Sequence, residues 1–165
     1  PAFVINLLSL FVFRPLLTDL ARDWEGENIK EFTDIVKKMM ILIGALTIAA
    51  CVGAYLLGIP ILSLVYGVDL RAYRMELVII MICGGLNAYV YCLYYVVTVT
   101  GKQIFLLLGY GAGLIFAVFL GSSFVKSLGM LGAALSCTLS FGVVFIVFLI
   151  ITSCVVKDRK KKTEV

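Results

Sequence analysis

Six polar or small residues recur along one apolar stretch of the sequence at the spacing of helical turns. The stretch covers residues 77–101 without a charged side chain, and the six residues are Gly84, Asn87, Tyr91, Tyr94, Tyr95 and Thr98. At about 100° per residue they gather into one arc of roughly 100°. Asn, Tyr and Thr side chains offer neutral hydrogen-bond donors and acceptors, and the Tyr rings offer aromatic faces. This polar arc could therefore contact a polar molecule without contributing charge.

Two roles are open for the polar arc. Polar side chains are costly in hydrocarbon, so they face either neighbouring helices or a water-filled path. In the first role they make hydrogen bonds between helices and hold a bundle together. In the second role they form the wall of a cavity, with Asn87, Tyr91, Tyr94, Tyr95 and Thr98 as substrate-path candidates. The Val, Ile, Leu and Met residues of the same stretch can face lipid.

The composition shows what surrounds this stretch. Of the 165 residues, 62% are hydrophobic and 15% are charged, and the mean hydropathy is +1.12, whereas soluble domains carry about 25% charged residues. The chain is therefore expected to be an integral membrane protein. It has no histidine, and all ten acidic residues lie outside four long apolar spans. We therefore expect no metal site, no cofactor, no intramembrane proton relay and no enzymatic activity.

The cysteines and the basic residues exclude two further classes. The five cysteines fall within or at the ends of apolar spans and form no CxxC pair, which indicates packing roles and not a disulfide set or a redox centre. Much of the net charge of +4 comes from the KDRKKK run at 157–162, directly after an apolar span. Such a run is typical of the cytoplasmic flank of a last helix and can contact anionic lipid head groups. Nucleic acid is not an expected partner.

The two ends of the chain flank its membrane part. Residues 1–13 are too few to span on their own, and they are interpreted as the end of a partial transmembrane helix of a longer protein. Residues 14–38 are predicted to form an amphipathic cytoplasmic elbow lying on the membrane surface. Its second helix is expected to begin after Asn28, in a capping box with Glu31, and to continue into the membrane. Residues 157–165 are interpreted as a basic cytoplasmic tail.

Residues 39–156 are predicted to form a bundle of four transmembrane helices. A helix needs roughly 20 apolar residues to cross about 30 Å of hydrocarbon. The first span is expected to end at Pro60, which breaks the helical hydrogen-bond ladder, and a short loop over 124–128 separates the last two. The fold class is thus all-α, a polytopic membrane helix bundle with four complete spans plus the partial N-terminal one. The spans cover residues 39–58, 77–101, 104–123 and 129–156.

Small residues recur every four positions on three of the spans. Such faces let helices approach closely, so they indicate a bundle and no particular function. The faces are Ala45, Ala49 and Gly53 on the first span, Gly109, Gly113, Ala117 and Gly121 on the third, and Gly132 and Ser136 on the fourth.

The basic residues predict the orientation of the spans. If the tail is cytoplasmic, alternation of four spans places the elbow, the turn at Gly101 and the tail on one side. That side holds eleven of the fourteen basic residues, and the other side holds only Arg71, Arg74 and Lys126. The positive-inside rule therefore favours four spans with a cytoplasmic C-terminus.

Three segments in this order resemble one transporter family. FRPLLTDLARDWEGENIKEFTDIVKK resembles the surface elbow of polysaccharide repeat-unit flippases, the Wzx-type proteins of the MATE-like (MOP) exporter superfamily. LGIPILSLVYGVDL looks like the turn and short apolar segment after the next helix of that family, and KSLGMLGAALSCTLSFGV is similar to the start of its last helix. The resemblance covers essentially the whole chain.

The resemblance implies a bacterial inner-membrane transporter of two lobes, of which this chain is an incomplete second lobe. Such proteins move undecaprenyl-diphosphate-linked oligosaccharides across the membrane for export of cell-surface polysaccharide, such as lipopolysaccharide or capsule. The expected partners are the lipid bilayer, the lipid-linked oligosaccharide and the missing N-terminal lobe. The complete spans contain no basic residue, so no diphosphate-binding residue can be assigned here.

Other functions remain alternatives to this one. A peptidoglycan-precursor or drug exporter of the same superfamily would share the fold, although a cation-coupled drug exporter more often has an intramembrane carboxylate. A membrane enzyme is disfavoured by the absence of histidine and of acids within the spans. A structural membrane subunit would also have the small-residue faces.

Overall fold

A computed structural model of the chain describes residues 18–26, 28–67 and 74–163. Over these residues the chain is helical apart from short turns, without a strand, which confirms the all-α class there. Three helical stretches are long and apolar enough to cross a membrane, as expected of a membrane protein. The partial helix predicted at 1–13 and residues 14–17 of the elbow lie outside the described residues.

The first long stretch begins where the sequence predicts. A short helix α1 covers residues 18–25, and α2 (Ile29–Gly53) starts directly after Asn28 and continues through the predicted membrane entry without a break. The Asn28 side chain makes no cap hydrogen bond, so the predicted capping box is not formed.

Pro60 does not end this stretch, and the prediction that it does is wrong. After α2 the backbone forms a π turn over Ala54–Gly58 and passes directly into α3 (Ile59–Tyr66), with Pro60 in the first turn of α3. Proline lacks an N–H and its ring clashes with the carbonyl four residues earlier in an α-helix. A π turn widens the helix by one residue, which changes the position of that carbonyl and lets the chain stay helical.

The second and third stretches are α4 (Arg74–Val99) and the long helical segment Ile104–Thr163. The long segment is divided at Gly129, which has φ 59° and ψ −128°. We call residues 104–128 α5 and residues 130–163 α6. A positive φ is accessible to glycine without steric cost, so the reversal can be confined to this residue.

Helices α5 and α6 form an antiparallel hairpin. Near the open end Gly109 lies against Phe148, and towards the turn Gly121 lies against Ser136. Residues later in α5 therefore contact residues earlier in α6. The loop predicted over 124–128 is helical in the structure, because the reversal needs no more than the turn at Gly129.

Helix α4 lies at the centre of the bundle. Among the 18 most apolar consecutive residues of α4, half are buried. The corresponding share of buried residues is 11% in the first stretch and 22% in the third. It contacts α2 and the π turn on one side and the hairpin on another. One apolar cluster joins Met39 and Ile43 of α2 to Ala88 of α4. A second cluster joins Leu93 of α4 to Phe148 of α6.

The elbow helix α1 packs against the protein. Leu20 and Trp24 are buried in a cluster with Phe32 of α2, Val96 of α4 and Val155 of α6. The Trp24 and Phe32 ring centroids are 5.0 Å apart. The apolar face that was expected to lie on the membrane surface is therefore covered by the ends of three helices, because these ends expose matching apolar side chains.

A contact with the tail end of α6 also holds α1 in place. The Arg159 guanidinium lies over the Trp24 ring at 4.6 Å from its centroid, and Nη2 donates a hydrogen bond to the Trp24 carbonyl at 3.2 Å. A cation over an indole face is attracted by the ring quadrupole. One residue of the basic region is therefore used to join the elbow to the last helix.

Two cysteines allow the packing of α4 against α6 to be tested. The Sγ atoms of Cys83 and Cys137 lie 3.4 Å apart, so a small movement brings them to the bonding distance of about 2.05 Å. We expect copper phenanthroline to join them in a chain whose other cysteines are serine. With a protease site inserted at residues 101–103, the oxidised and cleaved chain should run as one band on a non-reducing gel and as two after reduction.

The matched control keeps Cys83 and Cys154 as the only cysteines. Cys154 is 17 positions beyond Cys137 on the same helix, about 25 Å at 1.5 Å per residue. This control should give two bands without reduction. Equal linking of both pairs, or no linking of Cys83 to Cys137, would contradict the described packing.

Candidate functional site

The faces of α4 differ in what covers them. One face, with Met81, Ala88 and Cys92, is buried in the cluster with α2. A second face, with Val90 and Leu93, is buried against α6. The prediction that the apolar residues of this helix can face lipid is wrong for these packed residues, because α4 is central and they supply the packing surface for both neighbours. Ile82 is 42% exposed and remains able to face lipid.

The polar arc occupies one of the remaining sides of α4, and Met75 and Ile82 are exposed on another. Of its six residues only Gly84 is buried. Tyr91 is 42% exposed, and the other four are partly exposed. The sequence periodicity therefore located a distinct face of α4, and the structure leaves that face open within the described bundle. The partly exposed residues are Asn87, Tyr94, Tyr95 and Thr98.

Hydrogen bonds and ring contacts within the arc are local. The Thr98 hydroxyl donates to the Tyr94 carbonyl of its own helix at 2.8 Å. The Tyr94 and Tyr95 rings meet edge to face with centroids 5.5 Å apart. These contacts orient the side chains along α4 and join no second helix.

Tyr89 lies outside the arc, yet it makes a hydrogen bond between helices, which was the first of the two roles open to the arc. Its hydroxyl donates to the Met40 carbonyl of α2 at 3.0 Å, and its ring packs on Phe145 of α6 at 5.4 Å. Gly44 makes room for it, since a Cβ there would lie 2.7 Å from the Tyr89 hydroxyl. Sequence reasoning missed Tyr89 because, at about 100° per residue, it lies off the helical face that the spacing of the arc defines.

Helix α5 adds Tyr110 to the open face. Tyr110 is 41% exposed, and its hydroxyl lies within electrostatic reach of Tyr91 and Tyr94. Its ring packs edge to face on Phe148 at 5.3 Å, which fixes its position on the hairpin. Tyr91, Tyr94 and Tyr110, the tyrosine cluster, thus combine phenol groups from two helices. Sequence reasoning missed Tyr110 because periodicity reports only residues of one helix.

The predicted helix-packing residues lie mostly along the hairpin. A Cβ added to Gly109 would overlap the Phe148 ring, and one added to Gly113 would overlap Val144. Gly121 lies against the Ser136 hydroxyl, and Ser136 itself is buried. Gly132 lies against the Phe124 carbonyl, and Ala117 lines the groove between α5 and α6.

The small-residue face predicted on α2 does not pack in the described bundle. Ala45 and Ala49 are exposed, and nothing lies within 4 Å of a Cβ built on Gly53. The close approach to α4 uses other positions instead, since a Cβ on Gly85 of α4 would overlap the Thr47 side chain.

The chemistry available at the open face of α4 is neutral. Its side chains can donate and accept hydrogen bonds and can stack on sugar rings or other flat groups, and none of them carries a charge near pH 7. Among residues 18–26, 28–67 and 74–163, no group of three His, Cys, Asp or Glu side chains could hold a metal ion.

No protein-family model matches the chain, and neither the curated proteins nor the solved structures contain a significant match. Function is therefore inferred from the geometry of the open face and from the resemblance of the three sequence segments.

Gly132 tests the contact that closes the hairpin. We expect Gly132→Ala to lower the free energy of unfolding by about 1–3 kcal/mol, because the new methyl group meets the Phe124 backbone carbonyl, which cannot rotate away. Thermal unfolding in a mild detergent, followed by circular dichroism, measures the change.

The control is Gly142→Ala on the same helix, where a Cβ has nothing within 4 Å. It should be neutral or stabilise by about 0.5–1 kcal/mol, since alanine loses less backbone entropy in a helix. Equal effects of the two substitutions would show that the Phe124 contact does not constrain the hairpin.

Proposed function

We propose that this chain is part of a membrane transporter that moves an undecaprenyl-diphosphate-linked oligosaccharide across a bacterial inner membrane. The observation that carries the proposal is the open face of α4. Its polar residues are partly exposed and lie beside the faces that pack against α2 and α6. A polar residue that joins these helices reaches a second helix, as the Tyr89 hydroxyl does, whereas the Thr98 hydroxyl and the Tyr94–Tyr95 ring contact stay on α4.

The proposed topology has four membrane crossings. The first three are the stretch Ile29–Leu64, α4 and α5, and α6 returns antiparallel to α5. The basic tail is then on the same side as the elbow, in agreement with the excess of basic residues there. We assign this side to the cytoplasm.

In this proposal the oligosaccharide passes along the polar arc and the tyrosine cluster. Asn87 and the phenol groups supply hydrogen bonds to hydroxyl groups, and the rings supply flat surfaces for sugar faces. Tyr91 and Tyr110 are the most exposed of these side chains and lie on different helices. A cargo between them would contact α4 and α5 together.

A second lobe is needed on the other side of the path. Alternating access is a rocking of one helix bundle against another around a central site. The open face of α4 is the surface that such a lobe would meet, and the MATE-like architecture implied by the resemblance has two lobes in this relation. Cationic residues for the diphosphate would come from that lobe.

The proposal predicts that the polar arc is needed for export. In cells making the native protein, Asn87→Leu and Tyr91→Leu should each lower export of the cell-surface polysaccharide by about twofold to tenfold, because each removes a hydrogen bond worth roughly 0.5–1.5 kcal/mol from the path. Export is measured by quantifying surface polysaccharide at equal levels of membrane-inserted protein.

The matched control is Tyr55→Leu, which removes a tyrosine of similar exposure, 49%, from outside the arc. It should leave export unchanged. Undiminished export in both arc variants would rule out the cavity role. Loss of folded protein in the arc variants, with normal export per remaining molecule, would favour the structural-subunit alternative.

A further inference from the structure

A groove opens between α2 and α6 at the end of the bundle that carries the basic tail. Its volume is about 590 Å³, within the usual range for ligand pockets. The walls are mainly apolar, and Ile41 at its edge is 72% exposed. The apolar lining residues include Phe32, Val36, Met40, Leu93, Leu149 and Val156.

The polar lining of the groove is basic. Lys37 of α2 and Lys157 and Lys160 of α6 line it. A smaller pocket of about 470 Å³ adjoins it and is lined by Lys30, Lys37 and Lys160 together with Asp34. Asp34 lies 3.6 Å from Lys37, an exposed pair that offsets one of these charges weakly. In the described part of the chain, neither Lys157 nor Lys160 forms a salt bridge.

Hydroxyl groups complete the lining. Thr152 and Ser153 lie between Leu149 and Lys157 on α6, and Thr33 lies one turn before Lys37 on α2. The Thr152 hydroxyl is buried without a hydrogen-bond partner among the described residues, although buried hydroxyls are usually paired. A ligand with oxygen atoms at this level would supply the missing partner.

We propose that this groove binds one anionic phospholipid from the leaflet on the tail side of the membrane. The phosphate of its head group lies among Lys37, Lys157 and Lys160, and an acyl chain extends along the apolar wall towards Met40 and Leu93. Basic pockets between transmembrane helices favour anionic head groups in this way. The inference rests on the proposed topology only for the identity of the leaflet.

The order of the lining residues favours a lipid over a soluble phosphate. Lys37 precedes Met40 and Ile41 on α2, and Lys157 and Lys160 follow Leu149 on α6, so the lysines lie nearer the tail end of the bundle than these apolar residues. A soluble anion would use the lysines and leave the apolar wall uncovered. A phospholipid matches both parts, because its charged head group would contact the lysines and its acyl chain would cover the apolar wall.

The test measures lipid binding to the 165-residue chain in a neutral detergent by native mass spectrometry. We expect one phosphatidylglycerol molecule to be retained and phosphatidylcholine with the same acyl chains to be retained at least about tenfold less. The triple variant Lys37→Gln, Lys157→Gln, Lys160→Gln should weaken phosphatidylglycerol binding by about tenfold to a hundredfold, since each basic residue contributes roughly fivefold near an anionic head group.

Two controls distinguish binding in the groove from a general effect of charge and from a general effect of adding a large side chain. Lys38→Gln, Lys102→Gln and Lys126→Gln together remove three exposed charges outside the groove and should leave binding unchanged. Met40→Trp, which narrows the groove, should abolish retention, whereas Val118→Trp on an exposed face of α5 should not. Circular dichroism and gel filtration check that each variant is folded.

Equal retention of the two lipids, equal effects of the two lysine triples, or displacement of the lipid by inorganic phosphate at millimolar concentration would each overturn the proposal. The assay involves no transport. Its failure therefore leaves the proposed export function untouched, and a loss of export in the arc variants leaves the lipid site untouched.

Discussion

Inside hydrocarbon a backbone N–H or C=O group has no water to bind, so each must be satisfied by the helix that contains it. The chain meets this constraint at its irregular points as well. The π turn before Pro60 keeps the path helical, and the reversal at Gly129 is confined to one residue. Several Thr and Ser hydroxyls donate to carbonyls of their own helix, so they contribute little to helix association. Those that donate to the carbonyl four residues earlier include Thr47, Thr98, Thr138 and Ser140.

Since most polar groups are satisfied within their own helix, association depends on how closely the helices approach. Gly85 admits Thr47 between α2 and α4, and Gly109 admits the fully buried Phe148 between the legs of the hairpin. Tyr89 adds one hydrogen bond between helices, at a point where Gly44 makes room. Close packing at glycines thus covers α4 on two sides and leaves the polar arc partly exposed.

Composition and periodicity predict the all-α class, the long apolar stretches and the helix start after Asn28, because these depend on local properties of the chain. They fail where a tertiary choice decides. Pro60 is compatible with a break or with a π turn, and the sequence does not distinguish them. The arc is visible as a pattern, but which face of α4 is buried depends on neighbours, and Tyr110 joins the site only through the hairpin.

The distribution of charge differs between the middle of the described bundle and the end that carries the tail. The middle of the bundle offers neutral hydrogen bonds and aromatic rings, and the basic residues gather at the end that carries the tail. A diphosphate is costly to move through the middle of the bundle, because an unpaired charge in hydrocarbon loses its hydration. The middle of the described helices carries no cation that could compensate for that loss. In the proposed function such a cargo is therefore neutralised by residues outside these helices, which is why that proposal needs a second lobe facing the polar arc.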